Sequence, residues 1–241
     1  MTKRVSNNFR FRLRADDLLA NRYRIVARLG RGWEGEVFKI EEIDTGIERA
    51  AKLFFPHRNY KNASARRYAL KLHKLRHCGG VIQYVNQEKI SLSGHSVTML
   101  ISEYVDGEIL GHYLRGKRLA VFEALHLLHA IASGIAEIHL AGEYHGDLHA
   151  DNIIVRRFGL GYDIKLLDFF HWHAPKKENV QEDVCNLVRL LYDMLGGAKR
   201  YRYQPPEVKQ ICCGLKRTLI LGKFRTAAHL RDHLEAIEWA A

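Results

Sequence analysis

The chain has 241 residues, of which 47% are hydrophobic, so it is long enough to bury a core and to form one two-lobed domain. Its 38 Lys and Arg residues outnumber its 27 Asp and Glu residues, for a formal net charge of +11 at pH 7. A cationic surface attracts acidic substrates, anionic membranes or nucleic acid. A basic charge by itself is common, however, and nucleic acid is not the expected partner.

Cysteine usage and apolar stretches indicate the compartment. Cys78, Cys185, Cys212 and Cys213 show no metal-ligand spacing, and adjacent cysteines rarely bridge, so a reduced, cytoplasmic setting is expected. The N-terminus lacks the apolar stretch of a signal peptide. Leu119–Leu140 is the most apolar region, but Glu and His residues interrupt it. It is interpreted as a buried helix, and no transmembrane segment is expected.

Residues 1–20 are predicted to form a basic N-terminal extension. From Phe9 to Arg14 the residues alternate strictly between apolar and cationic, so a strand here would have one apolar and one cationic face. One interpretation is an anion-binding ribbon. The favoured one is an edge strand whose arginines discourage edge-to-edge pairing.

Residues 21–105 are predicted to form a strand-rich lobe with one helix. The strands are Arg24–Arg28, Glu36–Glu42, Arg49–Phe55, Val81–Ile90 and Ser96–Tyr104, and the amphipathic helix is Ala63–Arg76. The helix carries five basic residues with no compensating acid: Arg66, Arg67, Lys71, Lys74 and Arg76. They form either a solvated face or a docking face for an acidic partner.

Residues 106–241 are predicted to form a second, mainly helical lobe that begins at Asp106-Gly107. Its helices are Glu123–Leu140, Val180–Leu195, one from near Pro206 and Thr226–Ala240, with a strand pair at Ile153–Val155 and Ile164–Leu167. Strands followed by helices predict an α+β, bilobal fold, with an antiparallel sheet and one helix in the first lobe and a reduced second lobe.

A glycine-rich segment in the first lobe predicts phosphate binding. Gly30, Gly32, Gly35 and Val37 form a G-x-G-x-x-G-x-V pattern, in which backbone amides approach phosphate oxygens without an intervening side chain. The same glycine spacing occurs in dinucleotide-binding folds, but there it opens a helix. Here the glycines lie between two predicted strands, where a plain hairpin turn is the alternative.

Two further segments support a nucleotide site. Lys52 lies on the third predicted strand, where alternation points it inward to meet phosphates as a point charge. The segment from Ser102 to Glu108 follows the last strand of the lobe. Glu103 and Val105 would grip adenine through backbone groups and Glu108 would accept from a ribose hydroxyl, unless the segment is only a charged linker.

The strongest signal is His145-Gly146-Asp147-Leu148-His149-Ala150-Asp151-Asn152, followed sixteen positions later by Asp168. Phosphoryl transfer depends mainly on positioning and charge neutralisation. One carboxylate must orient the attacking hydroxyl, while a second carboxylate and an amide oxygen hold Mg²⁺. Asp147, Asp168 and Asn152 supply that set.

With these residues the chain resembles the eukaryotic-like Ser/Thr protein kinases, over about Asn21 to Ala241. The resemblance implies ATP and Mg²⁺ as cofactors, Asp147 as catalytic base, and Asn152 and Asp168 as magnesium ligands. It also implies that Asp183 braces the catalytic loop. The residues assigned to nucleotide binding are Gly30, Gly32, Gly35, Val37, Lys52, Glu103, Val105 and Glu108.

The departures from that family concern its usual supports. The helix glutamate that pairs with the strand lysine falls on Tyr68, and no Asp or Glu occurs from Ala50 to Gln87. Lys52 would then be held by Asp168 or by the Tyr68 hydroxyl, or the site is impaired. Gly146 replaces an arginine, and His149 replaces a lysine that would neutralise the transferring phosphate. His-Gly-Asp-Leu-His resembles the catalytic loop of aminoglycoside phosphotransferases. Asp183 follows Asp168 by only fifteen positions, so the activation segment is short and lacks an Ala-Pro-Glu-like anchor.

Three functions follow from these patterns. The leading hypothesis is a minimal Ser/Thr protein kinase that transfers the ATP γ-phosphoryl to a protein hydroxyl, with Lys52, Asp147 and His149 as catalytic residues. The second is a small-molecule or lipid-sugar kinase, which the catalytic loop and short segment favour. The third, which Tyr68 favours, is a pseudokinase that binds nucleotide or a partner.

Overall fold

The computed structural model describes residues 10–92, 94–159, 161–169 and 174–237. Phe9, residues 170–173 of the short activation segment and the end of the predicted last helix lie outside these ranges. The described chain divides into two compact units. Unit 1 holds the residues up to Arg76 together with Ile82–Val105, and unit 2 holds His77–Val81 and the residues from Asp106 onward.

Unit 1 contains an antiparallel sheet of six strands in the order β1-β2-β3-β4-β6-β5. Its strands are β1 (Leu18–Leu19), β2 (Tyr23–Arg31), β3 (Gly35–Glu42), β4 (Glu48–Phe54), β5 (Tyr84–Leu92) and β6 (His95–Glu103). The five strands predicted from sequence are present, with ends shifted by a few residues. Residues such as Phe38 and Ile40 alternate along β3 and are buried in one apolar cluster on the sheet, as a half-buried strand requires.

Residues 10–14, the described part of the predicted edge strand, pack on this sheet but do not form a strand, so that prediction is wrong for them. Residues 10–14 have no strand structure, and the short β1 pairs with β2 instead. Phe11 is buried in the apolar cluster and its ring stacks on Phe55 at 5.5 Å. Arg10 and Arg12 are exposed. The alternation therefore separates buried apolar side chains from exposed cationic ones although residues 10–14 pair with no strand. Phe11 instead packs on the face of the sheet.

The single long helix of unit 1 is α1 (Ala63–Lys74), as predicted. Ala65, Tyr68 and Leu72 recur at helical spacing and are buried, while Arg66 and Arg67 are exposed. Lys71, which the sequence placed on the same basic face, is buried, so that part of the prediction is wrong. Basic residues in its last turn lie at the negative end of the helix dipole, where cations are stabilising.

Unit 2 is mainly helical, with one small sheet. Its elements are β7 (Glu108–Ile109), α2 (Leu110–Tyr113), α3 (Val121–Leu140), β8 (Ile153–Phe158), β9 (Gly161–Leu166), α4 (Lys177–Met194), α5 (Ala198–Tyr201), α6 (Pro206–Cys212), α7 (Arg217–Lys223) and α8 (Ala227–Glu235). The strands pair antiparallel in the order β7-β8-β9. The short helices α2, α5 and α7 were not predicted, because segments of one or two turns carry little periodicity.

Helix α3 forms the centre of unit 2 and packs against α4 and α8. By length and composition it is the one helix in the described ranges that could cross a membrane, but 56% of its apolar window is buried within the protein. Leu127, Leu128 and Ile131 have no exposed surface. A mostly buried core helix passes the same length and composition test, so α3 is weak support for a membrane span.

Candidate active site

The glycine-rich segment forms the turn between β2 and β3. The Gly32 N–H donates to the Gly35 carbonyl at 2.9 Å, and Gly30 pairs with Val37 across the two strands. A Cβ added to Gly35 would lie 2.1 Å from the Leu53 carbonyl oxygen. The turn therefore approaches β4 so closely that only glycine fits there. As the sequence context predicted, these glycines belong to a hairpin and do not open a helix: Gly30 lies near the end of β2, Gly32 in the turn and Gly35 at the start of β3.

Lys52 lies on β4 opposite Val37, beside this turn. Its side chain is only 12% exposed, and its Nζ donates to the Glu34 carboxylate at 3.3 Å. The same Nζ lies 4.8 Å from the ring centroid of Tyr68 and 5.4 Å from that of Phe54. An aromatic ring of α1 and a carboxylate of the glycine-rich turn thus lie beside the Lys52 ammonium.

The predicted adenine-binding segment is divided between the two units. Glu103 ends β6 in unit 1, where its carboxylate accepts from the Gln83 N–H at 2.9 Å. Val105 is the last residue of unit 1, and Glu108 begins β7 in unit 2, opposite Val155. Their assignment to adenine and ribose stays a prediction.

The loop from His145 to Asn152 in unit 2 is held by a buried carboxylate. Asp183 on α4 has no exposed surface and accepts from the backbone N–H groups of His145 at 2.7 Å and Gly146 at 2.9 Å. The ring of His139 lies 3.1 Å from the same carboxylate. Gly146 has a φ of +81°, a conformation that glycine adopts without the strain of a Cβ. Asp183 therefore makes the hydrogen bonds by which the resemblance implied that it braces this loop.

The candidate base and metal ligands converge within this loop. The Asn152 amide nitrogen donates to the Asp147 carbonyl at 2.8 Å and to its carboxylate at 3.2 Å. His149 Nε2 lies 3.0 Å from the same amide nitrogen and 3.6 Å from the Asp147 carboxylate. Asn152 is buried, whereas the Asp147 side chain is 53% exposed. A fixed amide thus aims an accessible carboxylate, while the amide oxygen stays available to a hard cation.

Asp168 is positioned by its neighbours in sequence. The Leu167 N–H donates to the Asn152 carbonyl at 2.9 Å, and the buried Phe169 packs its ring 4.7 Å from that of His145. Between these anchors Asp168 has a φ of +49°. A left-handed non-glycine residue costs about 1–3 kcal/mol and persists where the surroundings hold it. Such strain is frequent at functional sites.

Sequence reasoning missed Glu34 and His139. Glu34 lies inside the glycine-rich pattern, but its contact with Lys52 depends on the turn folding onto β4, which spacing does not reveal. His139 lies on α3, six positions before His145, with 8% of its side chain exposed. In sequence, a histidine on an apolar helix does not differ from an ordinary core residue. Its contact with Asp183 is visible only in the folded chain.

The geometry agrees with the comparisons to known proteins. The family model of the protein kinase domain matches residues 23–208. The chain belongs to the protein kinase domain family. The family and fold predicted from the sequence are therefore confirmed. The likeness of its catalytic loop to aminoglycoside phosphotransferases stays a prediction.

Several named protein kinases are similar to this protein kinase domain. Serine/threonine-protein kinase pkn2 of Myxococcus xanthus is 29% identical over 154 residues, which cover 63% of this chain and 18% of pkn2. Serine/threonine-protein kinase tousled-like 1 of Caenorhabditis elegans is 27% identical over 215 residues, 85% of this chain and 21% of that protein. The chain therefore spans about a fifth of the length of these curated relatives.

A solved structure shows the same fold. The PknI kinase domain of Mycobacterium tuberculosis superposes with a TM-score of 0.66 at 20% identity, and the match covers 92% of this chain and 98% of that one. At this identity the likeness concerns the fold.

Proposed function

We propose that the chain is an ATP- and Mg²⁺-dependent Ser/Thr protein kinase domain that transfers the ATP γ-phosphoryl to a hydroxyl of a protein. The arrangement of Asp147, Asn152 and His149 supports this most directly, since it aims an accessible carboxylate beside a buried amide. The relatives that share the domain are named serine/threonine-protein kinases.

The residues divide the chemistry between them. Asp147 accepts the proton of the attacking hydroxyl as general base, and Asn152 holds its carboxylate through the amide nitrogen. His149, whose ring lies 3.6 Å from the Asp147 carboxylate, takes the position of the lysine that would neutralise the transferring phosphoryl. Lys52 contacts the nucleotide phosphates.

The donor set fits Mg²⁺ because it consists of hard oxygens. Asn152 keeps its amide oxygen free of the hydrogen bonds that its nitrogen makes to Asp147. Asp168 contributes a carboxylate held in place by Leu167 and Phe169. When bound, the ion neutralises charge on the phosphates.

Acceptor class and setting belong to the same proposal. The alternative phosphate acceptor is a small-molecule hydroxyl. It is favoured by Gly146, His149 and the short segment before Asp183. We also propose that the exposed Arg66 and Arg67 of α1 form a surface that binds an acidic partner. The four cysteines are free, in keeping with the expected cytoplasmic location.

The test is transfer of labelled phosphate from ATP with Mg²⁺, to a protein mixture and separately to a small-molecule extract. The wild-type chain should label protein. Asp147→Asn should lower the rate about 10²- to 10⁴-fold while retaining nucleotide binding, because the base acts in the chemical step. Asp163→Asn, an exposed acid paired with Arg156 on the neighbouring strand, is the control and should match wild type.

The outcomes separate the hypotheses. Label that appears only in small molecules would refute the protein acceptor. Absence of transfer in both mixtures would refute the enzyme, and a large loss of ATP affinity in Asp147→Asn would contradict the role given to that residue.

A further inference from the structure

We propose that Glu34 in the glycine-rich turn is the positioning residue for Lys52, in the role that an acid on α1 would otherwise have. The inference rests on the proposed function, because it concerns how Lys52 is held for the nucleotide phosphates. Its physical content is an ion pair made within unit 1, between the β2–β3 turn and β4.

The environment of Lys52 requires an anionic neighbour. With 12% of its side chain exposed, the ammonium has lost most of its water, and a desolvated charge is costly without a paired acceptor. Aromatic faces of Tyr68 and Phe54 on two sides attract the cation, but rings supply no hydrogen-bond acceptor of carboxylate strength. Glu34 supplies one at 3.3 Å.

The position of Glu34 is set by its backbone as well as by its side chain. Its carbonyl accepts from the Phe55 N–H at 2.8 Å, one residue past the end of β4. Gly35 follows directly and approaches the Leu53 carbonyl too closely for any side chain. These contacts fix the turn against the strand that carries Lys52. The pair therefore differs from a surface ion pair between two mobile side chains, which contributes little.

Helix α1 offers no competing acid at this place. Tyr68 is 4% exposed and presents its ring to Lys52. Because α1 contains no Asp or Glu, the helix packs beside Lys52 through an aromatic ring.

The pair is compatible with phosphate binding. An ammonium has three N–H donors, so one can point to Glu34 while the others point to phosphate oxygens. The Glu34 side chain is 38% exposed, and solvent at such an exposure screens repulsion between the carboxylate and a phosphate. Glu34 thus orients Lys52 and does not touch the reacting atoms.

A double-mutant cycle on ATP affinity tests whether Glu34 acts through Lys52. The variants are Glu34→Gln, Lys52→Met and the combination, measured with a fluorescent ATP analogue, and KM for ATP is measured for Glu34→Gln. Glu41→Gln is the matched control, since Glu41 is 34% exposed and lies 3.5 Å from Arg24 in the same sheet. Thermal unfolding of each variant accompanies the binding data.

We expect Glu34→Gln to weaken ATP binding about tenfold, the size of one partly exposed charge-assisted hydrogen bond, and Glu41→Gln to change it less than about twofold. In the Lys52→Met background Glu34→Gln should change nothing further. Glu34→Asp, which keeps the carboxylate on a shorter side chain, should lie between Glu34→Gln and wild type.

Three results would overturn the inference. Glu34→Gln could change ATP affinity no more than Glu41→Gln does. It could also weaken ATP binding equally in the wild-type and Lys52→Met backgrounds. It could also tighten ATP binding, which would show that the carboxylate competes with phosphate. Each of these leaves the proposed function standing if wild type binds ATP and transfers phosphate. Absence of ATP binding by wild type would refute both.

Discussion

The buried carboxylate of Asp183 makes a sharp prediction about the stability of the catalytic loop. Asp183→Asn keeps the volume of the side chain but replaces one acceptor oxygen by an N–H donor. The carboxylate now serves the N–H groups of His145 and Gly146 and the ring of His139. An asparagine at this site must leave at least one of these donors without an acceptor, or face it with another donor.

The size of the effect follows from burial. Hydrogen bonds to a charged group contribute about 1.5–3 kcal/mol each, and a buried donor left unsatisfied costs about 1–3 kcal/mol. Asp183 has no exposed surface, so solvent does not replace the lost acceptor. We expect a destabilisation of about 2–5 kcal/mol, a large share of the roughly 5–15 kcal/mol that stabilises a typical domain.

The assay is urea unfolding followed by circular dichroism, with phosphate transfer measured in parallel. A loss of this size lowers the unfolding midpoint by about 1–2 M, for a typical dependence on urea. Glu182→Gln is the control, because Glu182 is the preceding residue of α4, is 53% exposed and pairs with Arg217. Its loss should cost less than about 1 kcal/mol. Equal midpoints for the two variants would refute the bracing role.

Two other predictions use neighbouring residues as internal controls. Gly35→Ala places a methyl group 2.1 Å from the Leu53 carbonyl oxygen, whereas nothing lies within 4 Å of the same group at Gly32. In thermal unfolding, Gly35→Ala should lower the stability by about 1–3 kcal/mol or more. Gly32→Ala should lower it by less than about 0.5 kcal/mol. Similar losses for the two variants would contradict the close approach of Gly35 to Leu53. Burial raises the pKa of Cys212 to about 12, so at pH 8 iodoacetamide should modify the partly exposed Cys213 faster than Cys212 in the native chain. Both should react alike in urea, and equal native rates would contradict the burial.

Most of the first unit could be predicted from local pattern. The five strands and α1 follow from alternation and helical spacing, which depend on the residues of each segment alone. Residues 10–14 show the limit of prediction from local pattern. Their alternation marks which side chains are buried, but strand pairing depends on which edge is open, and β1 occupies the edge of β2.

The candidate site divides in the same way. Asp147, Asn152 and Asp168 could be named from their order and chemistry, because phosphoryl transfer needs those groups at a recognisable spacing. The sequence also established that no acid occurs from Ala50 to Gln87. It did not reveal that the Glu34 carboxylate lies beside Lys52, since the two residues are eighteen positions apart.

The sequence by itself therefore determined the family and named the candidate catalytic groups, both of which are written in short motifs. Only the tertiary structure decided that Glu34 contacts Lys52, that Asp183 accepts from the backbone N–H groups of His145 and Gly146, and that Phe11 covers a sheet face. Each of these depends on the distance between segments remote in the chain. Backbone hydrogen bonds and close packing set that distance, and no local pattern encodes it.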